Sequence, residues 1–205
     1  MKKKTEAKRQ AIVDIAAEVF RELGFEGASM SEICRRVGGS KATIYNYFSS
    51  KELLFFEVMH QANQTQFVMI HAMLDQTAED VGEALRRFGE ALLTFLYSPD
   101  VMAIRRLVMT NACNGSLGQT CFELGPRRSM DEISEFLRSA IERGQLRPCA
   151  PAVATFHLRG LLESELLDSL IFRVDETIST ERIKAAVERA IAVFMAAYGP
   201  TNAAA

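Results

Sequence analysis

The residues best suited to contact another macromolecule lie in one segment, Ser29 to Lys51, which reads SMSEICRRVGGSKATIYNYFSSK. Its second half carries hydroxyl, amide and ammonium groups on Lys41, Thr43, Tyr45, Asn46 and Tyr47. An asparagine amide can bind adenine at two points, a threonine can touch a thymine methyl group, and lysine and tyrosine can bind phosphates. These residue types indicate contacts with the base edges and backbone of a nucleic acid.

The same side chains could instead form an ordinary solvated helix face. Exposed aromatic residues usually have a partner, however, and Tyr45 and Tyr47 stand beside Lys41 and Lys51. We therefore favour the interpretation that this face binds DNA.

The segment has the pattern of two short helices joined by a glycine turn. Ser29 and Glu32 form a capping-box pattern that begins one helix, which is predicted to end at Gly38. Ser40 is a suitable N-cap for the next, very short helix. Two helices joined in this way can place the second in a DNA major groove.

Neighbouring helices are predicted to hold this unit. Before it, apolar residues with the i, i+3, i+4, i+7 spacing define one buried helix face, which ends where Gly24 can adopt a left-handed cap. On the short helix itself, Ile44 and Phe48 are four residues apart and should face the core together. A second capping box, residues 49–52, begins a long helix that is expected to reach Gln76.

The remainder of the chain also has helical periodicity, without a convincing alternating strand pattern. Proline and glycine residues divide it into helices near residues 79–97, 100–113, 126–143, 151–172 and 179–198. The predicted fold is all-α, with about nine helices. It comprises a three-helix helix-turn-helix DNA-binding domain over residues 1–51 and a larger helical domain over residues 52–205.

Charge is divided unevenly between these two regions. The whole chain has a formal net charge of −2, but residues 1–51 hold ten Lys and Arg against six Asp and Glu, whereas residues 52–205 hold fourteen against twenty. Six of the seven lysines lie in the first region. This asymmetry indicates a polyanionic partner at the N-terminal end.

Membrane and secreted proteins are disfavoured. No uninterrupted apolar run approaches the roughly 18 residues that span a membrane, and the basic N-terminus leads into an amphipathic pattern. The cysteines Cys34, Cys113, Cys121 and Cys149 lack C-x-x-C spacing, which argues against a zinc finger and a disulfide scaffold. We therefore expect a cytoplasmic protein with no membrane contact. A redox switch between Cys113 and Cys121 stays open beside the simpler interpretation of inert thiols.

The candidate catalytic and metal-binding residues form no recognisable site. His60 and His71 share a helix face but lie three turns apart, too far to bind one metal ion, although His157 could approach either. P-loop, G-x-S-x-G and H-E-x-x-H motifs are absent. A carboxylate cluster without a neighbouring histidine in sequence consists of Glu163, Glu165 and Asp168. The sequence predicts no enzyme, no metal site and no cofactor.

Residues 7–59 resemble the N-terminal domain of the TetR family of bacterial transcription regulators, through the run IVDIAAEVFRELGFEGASMSEICRRVGGSKATIYNYFSSKELLFFEVM. The run keeps the helix-turn-helix spacing of that family without a gap. The resemblance implies DNA contacts at Ser31, Ser40, Lys41, Ala42, Thr43, Tyr45, Asn46, Tyr47 and Lys51. Gly39 stands where the family usually has an apolar residue, and Asn46 replaces a residue that is often bulky.

Residues 104–147 are similar to the C-terminal domain of the AefR-like subgroup of that family. The resemblance implies that residues 52–205 form a ligand-binding and dimerisation domain. We expect a ligand-responsive repressor that a small apolar or amphipathic effector releases from a palindromic, double-stranded DNA operator. The subgroup often has an acidic residue and a Phe-Pro step where this chain has Asn111 and residues 114–116, so no specific effector is inferred.

Two C-terminal helices are the predicted dimer contact. The pattern over residues 151–172 is more apolar than one buried stripe requires, and residues 179–198 are rich in alanine. Such a pair can pack against a symmetry mate as a four-helix bundle, and a palindromic operator needs a two-fold protein. The alternative is an ordinary monomer core.

The side chains between these layers could line an effector cavity, with Arg105, Arg106 or His157 orienting an anionic effector. The candidate effector-binding residues are Met59, Phe67, Phe88, Phe95, Arg105, Met109, Phe122 and His157. Residues of these types are more often plain core or surface positions. The alternative function is a helical ligand-binding or adaptor protein that does not bind an operator, and Gly39 slightly favours it.

Overall fold

The computed structural model describes residues 5–111, 116–172, 174 and 177–200, and all its regular elements are helical. They are α1 Glu6–Gly27, α2 Met30–Val37, α3 Lys41–Tyr47, α4 Lys51–His71, α5 Val81–Leu96, α6 Pro99–Asn111, α7 Leu117–Phe122, a π-helical segment Glu123–Arg127, α8 Arg128–Glu142, α9 Pro151–Glu163, α10 Leu167–Phe172 and α11 Thr180–Tyr198. The predicted all-α class is confirmed.

The main differences from the predicted helices lie at three places. The single helix expected over 151–172 is two helices, because the chain turns after Glu163 and the Ser164 hydroxyl donates to the Leu161 carbonyl at 2.8 Å. Helix α7 and the π-helical segment were not predicted. Helix α4 ends at His71, before Gln76. The predicted end of the next-but-one helix, at residue 113, lies outside the described residues.

Internal contacts divide the chain into two compact units. The first consists of Met1–Gln64 with Leu107–Thr120, and the second of Thr65–Arg106 with Cys121–Ala205. The first unit thus includes the start of α4, which the sequence analysis assigned to the second domain. Helix α4 begins in one unit and ends in the other.

The core of the first unit is formed by helices α1 to α3 and the start of α4. Ile44 is fully buried and Phe48 is 2 % exposed, so the predicted inner face of α3 is confirmed. Ile12 and Ile33 supply fully buried partners from α1 and α2. Gly24 has a positive φ of 69°, as predicted, but its ψ of 172° is not that of a left-handed cap. It kinks α1, which continues to Gly27.

Side-chain caps begin these short helices. Ser29 Oγ accepts from the Glu32 N–H at 3.2 Å, and Ser40 Oγ accepts from the Thr43 N–H at 3.1 Å, as predicted. The cap of α4 is displaced by one residue, since Ser50 and not Ser49 accepts from the chain, at the N–H of Leu53 and a distance of 3.1 Å.

The second unit is built on close packing of α5, α9 and α11, with α8 against α9. Gly89 of α5 makes this approach possible, because a Cβ atom there would lie 2.9 Å from Leu162 and 3.0 Å from Val187. Phe88, Phe136 and Phe194 fill the centre and are at most 1 % exposed. In the described ranges, no helix is long and apolar enough to cross a membrane.

Alanine substitutions at Gly38 and Gly39, in the turn between α2 and α3, should have opposite effects on stability. Gly38 has φ 70°, so Gly38→Ala should lower the free energy of unfolding by about 1 kcal/mol. Gly39 does not have a positive φ, and a Cβ atom there would contact only Val37, at 3.9 Å. Gly39→Ala should therefore raise the free energy of unfolding by about 0.5 kcal/mol. Chemical denaturation of both variants measures this, and equal destabilisation would contradict the assigned turn.

Candidate DNA-binding surface and effector region

Helix α3 presents one polar side to solvent because its other side is buried. Ile44 and Phe48 hold it on the core of the first unit, and the intervening Tyr45 and Asn46 are exposed. Tyr45 retains 40 % of its accessible surface. The Asn46 amide is therefore available for a two-point contact with a base.

The start of α3 is organised by its own hydroxyl groups. Ser40 and Thr43 bond each other at 2.8 Å while Ser40 also caps the helix, so both hydroxyls already have local partners. Lys41 and Ala42 are exposed, and the Lys41 ammonium lies 5.9 Å from the centre of the Tyr45 ring. Lysine and tyrosine together offer a cation and a hydroxyl on one surface.

Two predicted DNA contacts have partners inside the protein. The Tyr47 hydroxyl accepts from the Thr5 N–H at 3.1 Å, and the tyrosine is half-buried. The Lys51 ammonium donates to the carbonyls of Phe25 and Ala28 at 2.8 and 3.2 Å, and lies 4.2 Å from the centre of the Phe25 ring. Lys51 thus ties the end of α1 to α4.

The arginines of α2 are neutralised locally. Arg35 and Arg36 both donate to Glu32, and these hydrogen bonds lower the pKa of Glu32 to about 2. Arg36 also pairs with Glu22 at 2.7 Å. Ser31 is exposed beside them on the same helix.

A buried ion pair that sequence reasoning missed joins α1 to α4. Arg9 and Glu57 are 2.7 Å apart, and Glu57 is 8 % exposed. Gln61 donates to Glu57 at 2.7 Å and accepts from Gln10 at 2.9 Å. Burial opposes ionisation of Glu57, but the bonds from Arg9 and Gln61 prevail and its pKa is lowered. No local motif signals this pairing, because its members are about fifty residues apart.

The aromatic effector candidates of the second unit occupy different environments. Phe88 is fully buried and Phe95 is 7 % exposed, so both belong to the core. Phe67 is half-buried and stacks on His71 with ring centres 4.0 Å apart. Arg128 covers the Phe67 ring at 4.8 Å.

His71 forms a buried contact that sequence reasoning did not foresee. Its Nδ1 lies 2.9 Å from the Phe67 carbonyl, which can only accept, so Nδ1 carries the proton. Nε2 then accepts from the Ser129 hydroxyl at 2.8 Å. Burial lowers the pKa of His71, in agreement with a neutral ring. This pair fastens the end of α4 to the start of α8.

Arg105 is paired with an acid. Its Nη2 atom lies 2.5 Å from Oε1 of Glu163, a residue that sequence analysis considered only as part of a carboxylate cluster. Tyr97 donates to the same oxygen at 3.3 Å. The two partners are 58 residues apart in sequence.

The other four effector candidates are divided between the units. Phe122 and His157 belong to the second unit and are exposed, and His157 bonds the Tyr198 hydroxyl through Nδ1. Met59 and Met109 belong to the first unit, where Met59 is half-buried and Met109 is 50 % exposed.

A groove of about 360 Å³ lies on the second unit between the region of α7 and α8 and helix α9. Phe122 is the one predicted effector residue in its lining. The groove combines Phe156 and Met130 with Arg127 and Arg159, an amphipathic lining that had no signal in the sequence analysis.

Metal ligands and thiols are scattered in the described residues. Within those ranges, no three His, Cys, Asp or Glu side chains are placed to hold a metal ion. Cys34 is buried, and Cys121 and Cys149 are half-buried free thiols. Burial raises the pKa of Cys121. Cys113, the partner considered for a redox switch, lies outside the described residues.

Comparison with known proteins agrees with this architecture. Residues 12–58 match the model of bacterial regulatory proteins of the tetR family, and residues 83–200 match the C-terminal domain of AefR-like transcriptional repressors. These two matches identify the class of protein as a helix-turn-helix transcription regulator. The chain belongs to the TetR family of these regulators.

Similar proteins cover most of the chain. The crystal structure of a proposed TetR-family regulator from Mesorhizobium loti has a TM-score of 0.78 at 26 % identity, over 96 % of this chain and 100 % of that one. The flavonoid-responsive regulator FrrA has a TM-score of 0.69 at 25 % identity, over 96 % and 100 %. The uncharacterised helix-turn-helix regulator YhgD of Bacillus subtilis is 22 % identical over 78 % of this chain and 83 % of its own length.

Of the two lysines predicted to contact DNA, Lys51 should contribute to the stability of the fold and Lys41 should not. Lys51→Met removes two hydrogen bonds to carbonyls and should lower the free energy of unfolding by about 2 kcal/mol. Lys41→Met, at an exposed position, should change it by less than about 0.5 kcal/mol. Urea denaturation of both variants provides the measurement. Equal stability of the two would show that Lys51 is not a structural tether.

Proposed function

We propose that this protein is a ligand-responsive repressor that binds a palindromic, double-stranded DNA operator as a homodimer. A small apolar or amphipathic effector releases it from the operator, and the protein acts in the cytoplasm. The observation that supports this proposal best is the exposed polar side of α3, which lies within the residues that match the family's DNA-binding domain.

DNA binding is assigned to the side of α3 that carries Lys41, Tyr45 and Asn46. These three side chains are exposed, and the Lys41 ammonium lies 5.9 Å from the centre of the Tyr45 ring. Lys41 and Tyr45 can bind phosphates, and Asn46 can read a base. Ser31, Ser40, Ala42 and Thr43 complete the proposed surface. Tyr47 and Lys51 are proposed to support it, each with protein partners of its own.

Homodimer formation is assigned to the outward faces of α9 and α11. Their inward faces are used by the monomer core, since Leu158 and Phe194 are fully buried. The outward faces nevertheless carry Phe156 at 60 %, Val193 at 53 % and Val153 at 47 % exposure. Large apolar side chains exposed at these fractions on two neighbouring helices are typical of a protein interface.

The effector is proposed to be a small amphipathic molecule bound in the second unit. The AefR-like family model covers most of this unit, and the similar regulator FrrA is flavonoid-responsive. An apolar core interrupted by a few polar groups suits a ligand that has an apolar body and a polar substituent.

Release from DNA follows from a coupling free energy between the binding of the effector and the binding of the operator. An effector that prefers the conformation with the wrong spacing of the two DNA-binding heads must weaken operator binding in proportion to that preference. Helix α4 is suited to transmit the change because its residues belong to both units.

Operator binding should depend on Asn46 and Lys41 in different ways. On a DNA fragment covering the promoter of the neighbouring gene, Asn46→Ala should weaken binding about tenfold to a hundredfold and relax sequence preference, through loss of a base contact. Lys41→Met should weaken binding to all sequences and reduce the salt slope by about one unit. Fluorescence anisotropy at several salt concentrations measures both.

Lys184→Met is the matched control for this experiment, because Lys184 is an exposed lysine of the second unit. Its affinity should equal that of the unchanged protein. Absence of DNA binding by the unchanged protein would favour the alternative of a helical ligand-binding or adaptor protein.

The dimer should dissociate when charge is placed on its proposed contact. Phe156→Glu and Val193→Glu should each weaken self-association by at least about thirtyfold, because a buried charge replaces an apolar contact. Sedimentation velocity over a range of concentrations measures this. Leu23→Glu, at a position of the first unit that is 45 % exposed, serves as the control. If Phe156→Glu and Val193→Glu both self-associate as strongly as the unchanged protein, the interface lies elsewhere.

A further inference from the structure

Three polar side chains meet in the mainly apolar interior of the second unit. Arg105 comes from α6, Tyr97 follows the end of α5, and Glu163 ends α9. Arg105 and Tyr97 both donate to Oε1 of Glu163, at 2.5 and 3.3 Å. The guanidinium carbon lies 5.2 Å from the centre of the Tyr97 ring. We call these three residues the Arg105 cluster.

The Arg105 cluster is mostly removed from water. The side chains of Arg105 and Glu163 are 19 % and 16 % exposed, and Tyr97 is 7 % exposed. Three apolar residues close to it in the chain are buried, Met102 and Ile104 on α6 and Leu162 on α9. A ligand that reaches the cluster must therefore combine an apolar body with a polar group.

The charges of the cluster compensate each other. Arg105 and Glu163 form an ion pair, and burial raises the pKa of Tyr97 to about 12, so the phenol is neutral. An anionic ligand group would have to compete with Glu163 for a guanidinium that is already neutralised, at a site with little solvent. A cationic group would be repelled by Arg105. The charge balance thus favours an uncharged group.

The cluster also has unused hydrogen-bonding capacity. Nη1 of Arg105 is buried and has no acceptor within the described residues. Both bonds to Glu163 go to Oε1, which leaves Oε2 as an acceptor in the same ranges. A buried charged donor without an acceptor is costly, so a group that supplies a lone pair gains a strong bond there. A hydroxyl group can accept from a guanidinium and donate to a carboxylate.

We propose that the Arg105 cluster binds the hydroxyl group of an uncharged, amphipathic effector, with Nη1 of Arg105 donating to its oxygen. This assignment rests on the proposed function and specifies the chemistry of its effector. It replaces the anionic effector that sequence analysis considered for Arg105, because Glu163 supplies the negative charge from within the protein.

Matched aromatic fragments test the chemistry without knowledge of the whole effector. Phenol, benzoate and benzylamine share one ring and differ in the charge of the substituent. They are titrated into the full chain, and the ¹⁵N signal of Arg105 Nε, assigned with Arg105→Lys, is followed by NMR. Phenol should shift this signal with an apparent Kd at least about tenfold below those of the two ions. Tighter binding of benzoate, or no shift with any fragment, would overturn the proposal.

Two variants test the roles of charge and donor separately. Glu163→Gln retains the size of the side chain but leaves Arg105 uncompensated, so the preference should change from phenol to benzoate. Arg105→Lys retains the positive charge but lacks Nη1, so its affinity for phenol should fall about tenfold. One-dimensional NMR of the ligand measures this affinity. An unchanged ranking in folded Glu163→Gln would contradict the charge argument. If circular dichroism shows that Glu163→Gln does not fold, the order of affinities for the three fragments in the unchanged protein tests the proposal.

Arg189→Lys is the matched control, since Arg189 pairs with Glu165 at 2.6 Å on the surface of the same unit. It should leave the ranking of the fragments unchanged. Operator binding of the unchanged protein is measured in parallel. A protein that binds its operator but prefers benzoate contradicts only this inference, whereas a protein that binds no operator contradicts the proposed function.

Discussion

Helix α3 has seven residues and would not persist alone in water, so its orientation depends on the burial of two apolar side chains. Ile44 and Phe48 lie in the core of the first unit, and their spacing of four places Tyr45 and Asn46 on the opposite side. The same two contacts therefore stabilise the helix and determine which groups face outward. The caps from Ser29 and Ser40 refine where the helices begin. The proposed DNA-binding surface thus depends on a hydrophobic contact inside the protein.

Long cationic side chains have very different roles here, and their partners explain the difference. Lys41 is exposed on α3, whereas Lys51 is held by two carbonyls at the end of α1. The charge of Arg105 is compensated by Glu163 inside the second unit, whereas its Nη1 donor has no acceptor in the described residues. A cation in a binding region thus indicates an anionic ligand only when the protein has not already neutralised it.

The two units meet different physical demands. The first is a small core whose task is to orient one short helix. The second packs α5, α9 and α11 closely enough that Gly89 has no room for a Cβ atom, and Tyr97 of the Arg105 cluster belongs to this core. Burying a polar group in such a core is costly unless the group has a hydrogen-bond partner, and Tyr97 has one in Glu163. Helix α4, which contributes to both units, ends in the buried His71–Ser129 bond.

Sequence alone was sufficient for the all-α class, the positive φ of Gly24, the caps at Ser29 and Ser40, and the inward placement of Ile44 and Phe48. These features depend on periodicity and on groups within four residues of each other, which a sequence displays directly. The break between α9 and α10 was missed because no glycine or proline marks it. Tertiary structure decided the partners of Lys51, Arg9, His71 and Arg105, each of which binds a residue far away in the chain. A long polar side chain at a helix surface has the same local pattern whether it faces water, a carbonyl or an acid, and only the packing of distant helices distinguishes these environments.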